Sequence, residues 1–478
     1  MLKKTHPATR LKRAGTLLAT LTAFASTADA QSLEWGATRF FQYNIENVIV
    51  TPNAVSAGSY DVKVVFSVTN PTVTDLLADN TWDIKNSAAF KSAYGASLAL
   101  DITWDPGTDV TGTGSENPTL TSISTASLGS GAAMPVRVTG LQTAAAICLS
   151  DFSCPGAASL LHRYTITRTV RPIRFVSPVL RGRVALEGRP VCSDVDPAYA
   201  CPPPTVTATS TTFVNVPVRS VAANFTFAPA DPSTAMLASD PRRPVVDIRK
   251  CQACHDGRQH GDTVVPRLSL HGGNRNENLA VCVVCHNPNQ TDVPYRYLPT
   301  DPAVDPRVAG PETPIDFKTM VHSIHAGGFR ETPLVIIGFR SSVNDFSHVK
   351  FPAELRNCMS CHVEVNGKGT FELPLAKSVL GTTVNTKSIY RVTPPALRTI
   401  SVNPADDVKI SPTAAACSSC HDKAEVRTHM IRTGGASFST KQSAIGTTVI
   451  ERCANCHGPG KDKDVRKAHE IDGYGLDD

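Results

Sequence analysis

The chain has 478 residues, 19% of them charged, with 14 cysteines, 14 histidines and a formal net charge of +5. That length calls for two or three domains, and the 41% hydrophobic content excludes a disordered chain. Without residues 1–30, which carry five basic residues and one acidic one, the charge falls to +1, too little for a nucleic-acid footprint.

Residues 1–30 have the order of a secretory signal: basic Lys3, Lys4, Arg10, Lys12 and Arg13, an apolar run from Leu17 to Phe24, then Ala28-Asp29-Ala30. A Sec-type signal removed after Ala30 is therefore expected. The apolar run is too short to cross a bilayer, and no other run reaches spanning length. No Cys follows Ala30 to accept a lipid anchor, so the expectation is an exported protein with no transmembrane span.

Residues 31–228 read as strands. Val62, Val64, Phe66 and Val68 alternate, as do Leu98, Leu100, Ile102 and Trp104, with turn signals at Asn70-Pro71 and Asp105-Pro106-Gly107. Further runs lie at Tyr164 to Val170 and Thr205 to Val218, where Pro217 suggests an edge or a bulge. The expected fold is an all-β, antiparallel, Greek-key-like split barrel or sandwich of roughly seven to ten strands. Cys148, Cys154, Cys192 and Cys201 fall here, and an oxidising compartment favours pairing neighbours, Cys148 with Cys154 and Cys192 with Cys201. A reduced pair, or a redox role for Cys192 and Cys201, is the alternative.

Residues 229–245, with Asp231-Pro232, Asp240-Pro241 and Pro244, read as a Pro-rich linker. Beyond it, in residues 246–478, the strand grammar gives way to five Cys-x-x-Cys-His motifs. They are Cys251-Cys254-His255, Cys282-Cys285-His286, Cys358-Cys361-His362, Cys417-Cys420-His421 and Cys453-Cys456-His457. This is the c-type haem attachment motif: two thiols form thioethers to one porphyrin and the adjacent His becomes a proximal axial ligand. Zinc would close four-ligand sites from two Cys pairs, and five pairs, each with its own His, do not divide that way.

Five six-coordinate irons need five more ligands, and this half holds seven further histidines. His271, His322, His325, His429 and His469 are the candidate distal ligands, with His260 and His348 left for the surface or for propionates. Met320 and Met430 are read as packing residues. Phe317, Met320, Val321 and Ile324 recur at helical spacing behind a cap at Asp316, with Gly327-Gly328 as a stop. On that helix His322 and His325 project about 60° apart, so each can serve a different haem. At roughly 46 residues per haem the haems themselves must form the core, in mostly coil with short α-helices. Their propionates bring the formal charge to about −4, an acidic surface suited to basic partners or cationic metal phases.

The strings His271-Gly-Gly-Asn-Arg275, Cys282 to Asn289, Met320-Val-His322-Ser-Ile-His325-Ala-Gly-Gly, His429-Met430 and Cys453 to Gly460 resemble the haem half of OmcA/MtrC-type outer-surface multihaem cytochromes c. That resemblance implies one β-barrel plus one pentahaem module, half of a typical decahaem member. It implies five covalently bound, bis-His haem c groups and a β-domain disulfide of the spacing that Cys192 and Cys201 share. It also implies electron delivery to metal oxides, chelated metals, flavins or a partner redox protein such as another cytochrome or an outer-membrane conduit. The missing anchor Cys leaves the outer surface, release from the cell and the periplasm as locations. An electron carrier, with non-specific metal reduction at most, is the leading expectation. A multihaem reductase of a small oxyanion or sulfur compound, with one open haem, is the alternative.

Overall fold

The computed structural model describes residues 37–56, 59–75, 80–105, 122–123, 136–143, 162–172, 180–193, 213–228, 231–238, 244–260, 263–296, 307–308, 310–387 and 407–471. The segment expected to be an export signal, and Cys148, Cys154 and Cys201, lie outside these residues.

The N-terminal half is built from antiparallel strands: β1 (Gln42–Pro52), β2 (Tyr60–Thr69), β3 (Ser97–Asp105), β4 (Ser122–Ile123), β5 (Val136–Thr139), β6 (Tyr164–Pro172), β7 (Leu180–Arg189), β8 (Val191–Ser193), β9 (Phe213–Asn215), β10 (Val221–Ala228) and β11 (Asp231–Ala238). One sheet has the order β1-β2-β6-β4 and the other β11-β10-β7-β3-β5, with β8 and β9 pairing separately. The alternating residues meet between the sheets. Val62, Val64, Phe66 and Val68 of β2 share one core with Leu98, Leu100 and Ile102 of β3, Val184 and Leu186 of β7 and Phe225 of β10. A bulge between Ile45 and Asn47 bends β1, which also lies against β10 and β11 and draws the two sheets together.

Two sequence expectations change. Eight residues of the span read as a linker are strand β11, where Pro232 is tolerated because β11 is an edge and one of its sides donates no ladder bond. Around Pro217 the chain between Val216 and Ser220 belongs to no strand.

The C-terminal half is loops, two-stranded ribbons and seven short helices among the described residues: α1 (Ile248–Cys254), α2 (Leu279–Cys285), α3 (Phe317–His325), α4 (Pro412–Cys417), α5 (Ala424–Arg432), α6 (Ala454–His457) and α7 (Val465–Ala468). Side chains start several of them: Asp247, Asn278 and Asp464 accept the N–H two residues on at α1, α2 and α7. Asp316 precedes α3 without capping it; its carboxylate instead takes Thr382 Oγ1 and Lys318 Nζ. None of the described helices is long and apolar enough to cross a membrane.

The halves meet on the outer face of the second sheet. There alternation turns Asp101 and Thr103 of β3, Arg137 of β5, and Arg183, Ala185, Glu187 and Arg189 of β7 away from the sandwich core. Helix α2 lies on this face, with Val281 and Val284 against Ala185, and Arg183 donates to the Ala280 carbonyl at 3.2 Å.

Candidate functional site

All five Cys-x-x-Cys-His segments close the same one-turn loop. The His N–H donates to the carbonyl of the first Cys, at 2.8 Å for His255 to Cys251, 3.0 Å for His286 to Cys282, and 2.9 Å for His362 to Cys358, His421 to Cys417 and His457 to Cys453. A bond from residue i to i−4 is one helical turn, which stacks the first thiol and the imidazole on the same side. Helices α1, α2 and α6, the turn that directly follows α4 and a 3₁₀ turn at Cys358–Ser360 supply it.

Each motif histidine then faces one other histidine. Ring centroids are 6.1 Å apart for His255 and His325, 5.9 Å for His271 and His286, 6.0 Å for His322 and His362, 6.0 Å for His421 and His469, and 6.3 Å for His429 and His457. Two imidazoles that bind one metal ion through Nε2 at about 2 Å each stand at this separation. The ring planes are near parallel, 33° and 23°, in the His271–His286 and His322–His362 pairs, and steeply crossed, 76°, 69° and 84°, in the other three. His260 and His348 stand apart: His260 Nε2 is 3.0 Å from Asp256 Oδ1, and His348 is exposed near Asp345.

The protonation of these rings follows from their neighbours. Nδ1 lies 2.8 Å from the Pro266 carbonyl in His255, and 2.9 Å from those of Ile315 in His286, Val321 in His325, Lys463 in His457 and Val465 in His469. A carbonyl only accepts, so Nδ1 carries the proton and Nε2 keeps its lone pair for a metal. In His362 the acceptor is Thr370 Oγ1 at 3.0 Å, whose own hydroxyl donates to the Val245 carbonyl at 2.5 Å. Among the described residues, His322 Nδ1 is buried with no hydrogen-bond partner. Burial disfavours the charged form in five of them: His271 is pushed down to about 3, with Arg275 adding, His322 to about 4, with His325 adding, and His286, His325 and His421 are lowered too.

The ten motif thiols are free of disulfides. Burial pushes Cys251 up to about 11, with the charge of Cys361 next and that of Cys282 also felt; Cys358 rises to about 11 by burial and feels Cys420. Cys417 rises to about 12 by burial, with Cys453 the next cause. Motifs thus feel one another's thiols: the second and third at the first, the fourth at the third, and the fifth at the fourth. Cys192, fully buried in β8, is in a disulfide whose partner lies outside the described residues.

Residues 243–470 match the family model of the outer membrane cytochromes, MtrC/MtrF-like, domains II/IV. The C-terminal half belongs to that family. No curated protein sequence matches the chain. Membership of an MtrC/MtrF-like cytochrome family implies covalently bound haem c, and the donor set here fits it: paired thiols, each pair beside an imidazole that faces a second one.

Sequence reading missed what holds the MtrC/MtrF-like half to the β-half. Asp101 and Glu187, 1% and 0% exposed, take Arg137 from the same sheet, and Arg275 reaches Glu187 at 2.6 Å from beside the His271 turn. Burial, then the Glu187 charge, push Asp101 up to about 7 against the pull of the two arginines. Charged residues at every second strand position look like a solvated face. The signal that could have found them is Arg275, inside the string that carries the family likeness.

Proposed function

We propose that the chain is an exported electron-transfer cytochrome with five haem c groups, one at each Cys-x-x-Cys-His motif. Its irons are held by the pairs His255–His325, His286–His271, His362–His322, His421–His469 and His457–His429. The observation that carries this reading is the one-to-one pairing of motif and non-motif histidines at 5.9–6.3 Å. A reductase needs an iron with a weakly held position, and this pairing leaves no motif histidine alone.

Bound haem c supplies reversible one-electron chemistry. The chain's own residues do the rest. The thiols fix each group covalently, the imidazoles present Nε2, and in His255, His286, His325, His457 and His469 a backbone carbonyl holds Nδ1–H so that the ring cannot flip. The second motif's helix against the β-half, and motifs that feel one another's thiols in succession, support a linear relay. The β-half, from residue 31 through β11, mounts that relay, with disulfides Cys192–Cys201 and Cys148–Cys154. Together with the outer membrane family, the expected export signal supports work at the outer surface, in the medium or in the periplasm. The partners are then other cytochromes, an outer-membrane conduit, flavins or metal acceptors.

Low-temperature EPR on the oxidised protein, with haem counted on the same sample, tests this. Five haems per chain, all low-spin, are expected. A high-spin haem would mean an open iron and bring the reductase forward.

A further inference from the structure

Four of the five histidines that face a motif histidine are carried by helices: His322 and His325 on α3, His429 on α5, and His469 directly after α7. His271 does not. It opens a four-residue loop between the paired segments Ser269–Leu270 and Arg275–Asn276, and three successive residues of that loop have positive φ: His271 at 53°, Gly272 at 70° and Gly273 at 83°. A left-handed His is uncommon, and two glycines carry the greatest backbone freedom; the loop's own backbone adds one turn bond, Gly273 N–H to the Leu270 carbonyl at 3.1 Å.

The β-half holds it. Arg189 at the end of β7 donates to the Gly272 carbonyl. Gly188 N–H donates to the Asn274 carbonyl at 3.0 Å, and Ser97 Oγ donates to Asn274 Oδ1. Asn274 Nδ2 in turn donates to the His271 carbonyl at 2.9 Å, which closes a path from strand β3 to the histidine. On the far side Ser220 N–H donates to the Asn276 carbonyl at 3.1 Å, and Asn276 Nδ2 bonds the Val218 and Gly273 carbonyls at 2.9 Å each.

We infer that Ser97, Arg189 and Asn274 are positioning residues for His271, so that the β-half fixes one axial ligand of the haem attached at Cys282 and Cys285. This rests on the five-haem, bis-His reading above. It gives the β-half a part in the redox centre itself, beyond mounting it.

The test uses the full-length holo-protein and EPR, with His271→Ala as the calibrator. That variant is expected to turn one haem in five high-spin. The double variant Ser97→Ala, Arg189→Ala is expected to show a substantial part of the same signal with haem count and the other four low-spin signals kept, and Arg189→Lys to remain low-spin. If His271→Ala gives the high-spin haem while the double variant stays fully low-spin with unchanged potentials, the positioning idea is wrong and the bis-His reading stands. If His271→Ala itself stays low-spin, the ligand assignment at this haem fails and the inference with it. Should the double variant not fold, Ser97→Ala alone and Arg189→Ala alone are judged by the same signal.

Discussion

His322 and His325 stand one turn apart on α3 and face histidines of different motifs: the ring of His322 is 6.0 Å from that of His362, and the ring of His325 is 6.1 Å from that of His255. One helix of nine residues thus ties the first motif to the third. Replacing either with methionine should raise the midpoint of a single haem, and a different one in each variant. The rise should be a sizeable part of the roughly 0.8 V that axial ligands span. Redox titration of His322→Met and His325→Met checks this; the same haem responding in both would contradict the pairing.

The ring planes make a second, independent statement. Parallel imidazoles interact with the same iron dπ orbital and split the pair; crossed ones leave the two near degenerate. EPR of the oxidised protein should therefore show two rhombic low-spin haems, from His271–His286 and His322–His362, and three with a large principal g value. His322→Met should remove a rhombic signal and His325→Met a large-g one.

Thr370 sets the hydrogen bonding of one motif imidazole. Its hydroxyl accepts from His362 Nδ1 at 3.0 Å, the contact that gives that imidazole anionic character. His322, across the pair, has no such acceptor among the described residues. Thr370→Val removes the bond without changing the shape, and losing about 1 kcal/mol of stabilisation of the ferric form raises that haem by roughly 40 mV. Spectroelectrochemical titration should show one midpoint moved and four unchanged.

Asp101 makes the β-half sensitive to pH. Its ordinary value is 3.8 and its folded value about 7, raised first by burial and then by Glu187. Between these the native carboxyl keeps a proton that the unfolded chain has lost, so stability is greatest at the acid end and falls as pH rises through about 7. The slope is at most about 1.4 kcal/mol per pH unit. Thermal unfolding followed by far-ultraviolet circular dichroism should show this decline, and Asp101→Asn should flatten it. An unchanged slope in the variant would assign the pH dependence elsewhere.

The motifs and strands β2 and β3 were legible because covalent spacing and two-residue alternation are local. Which histidine meets which motif was not, because those pairs join segments up to seventy residues apart, as His255 and His325 do. Asp231-Pro232 misled because a turn signal and an edge strand tolerate the same residues. Asp316 has a capping residue's identity, but its carboxylate is taken by Thr382 from another segment and by the Lys318 side chain of α3 itself. Glu187 and Arg183 read as solvated until the second half of the chain covers them.

The two halves also differ in how they can diverge. The β-half rests on one large apolar core in which any set of residues with the right alternation and volume will serve. In the other half the buried apolar clusters are small, three residues each, one of them shared with Ala185 of the β-half. What pins that half is twenty cysteines and histidines at set places. Change in the strands is then limited by alternation and volume, and change in the half that matches the family model, residues 243–470, by those places.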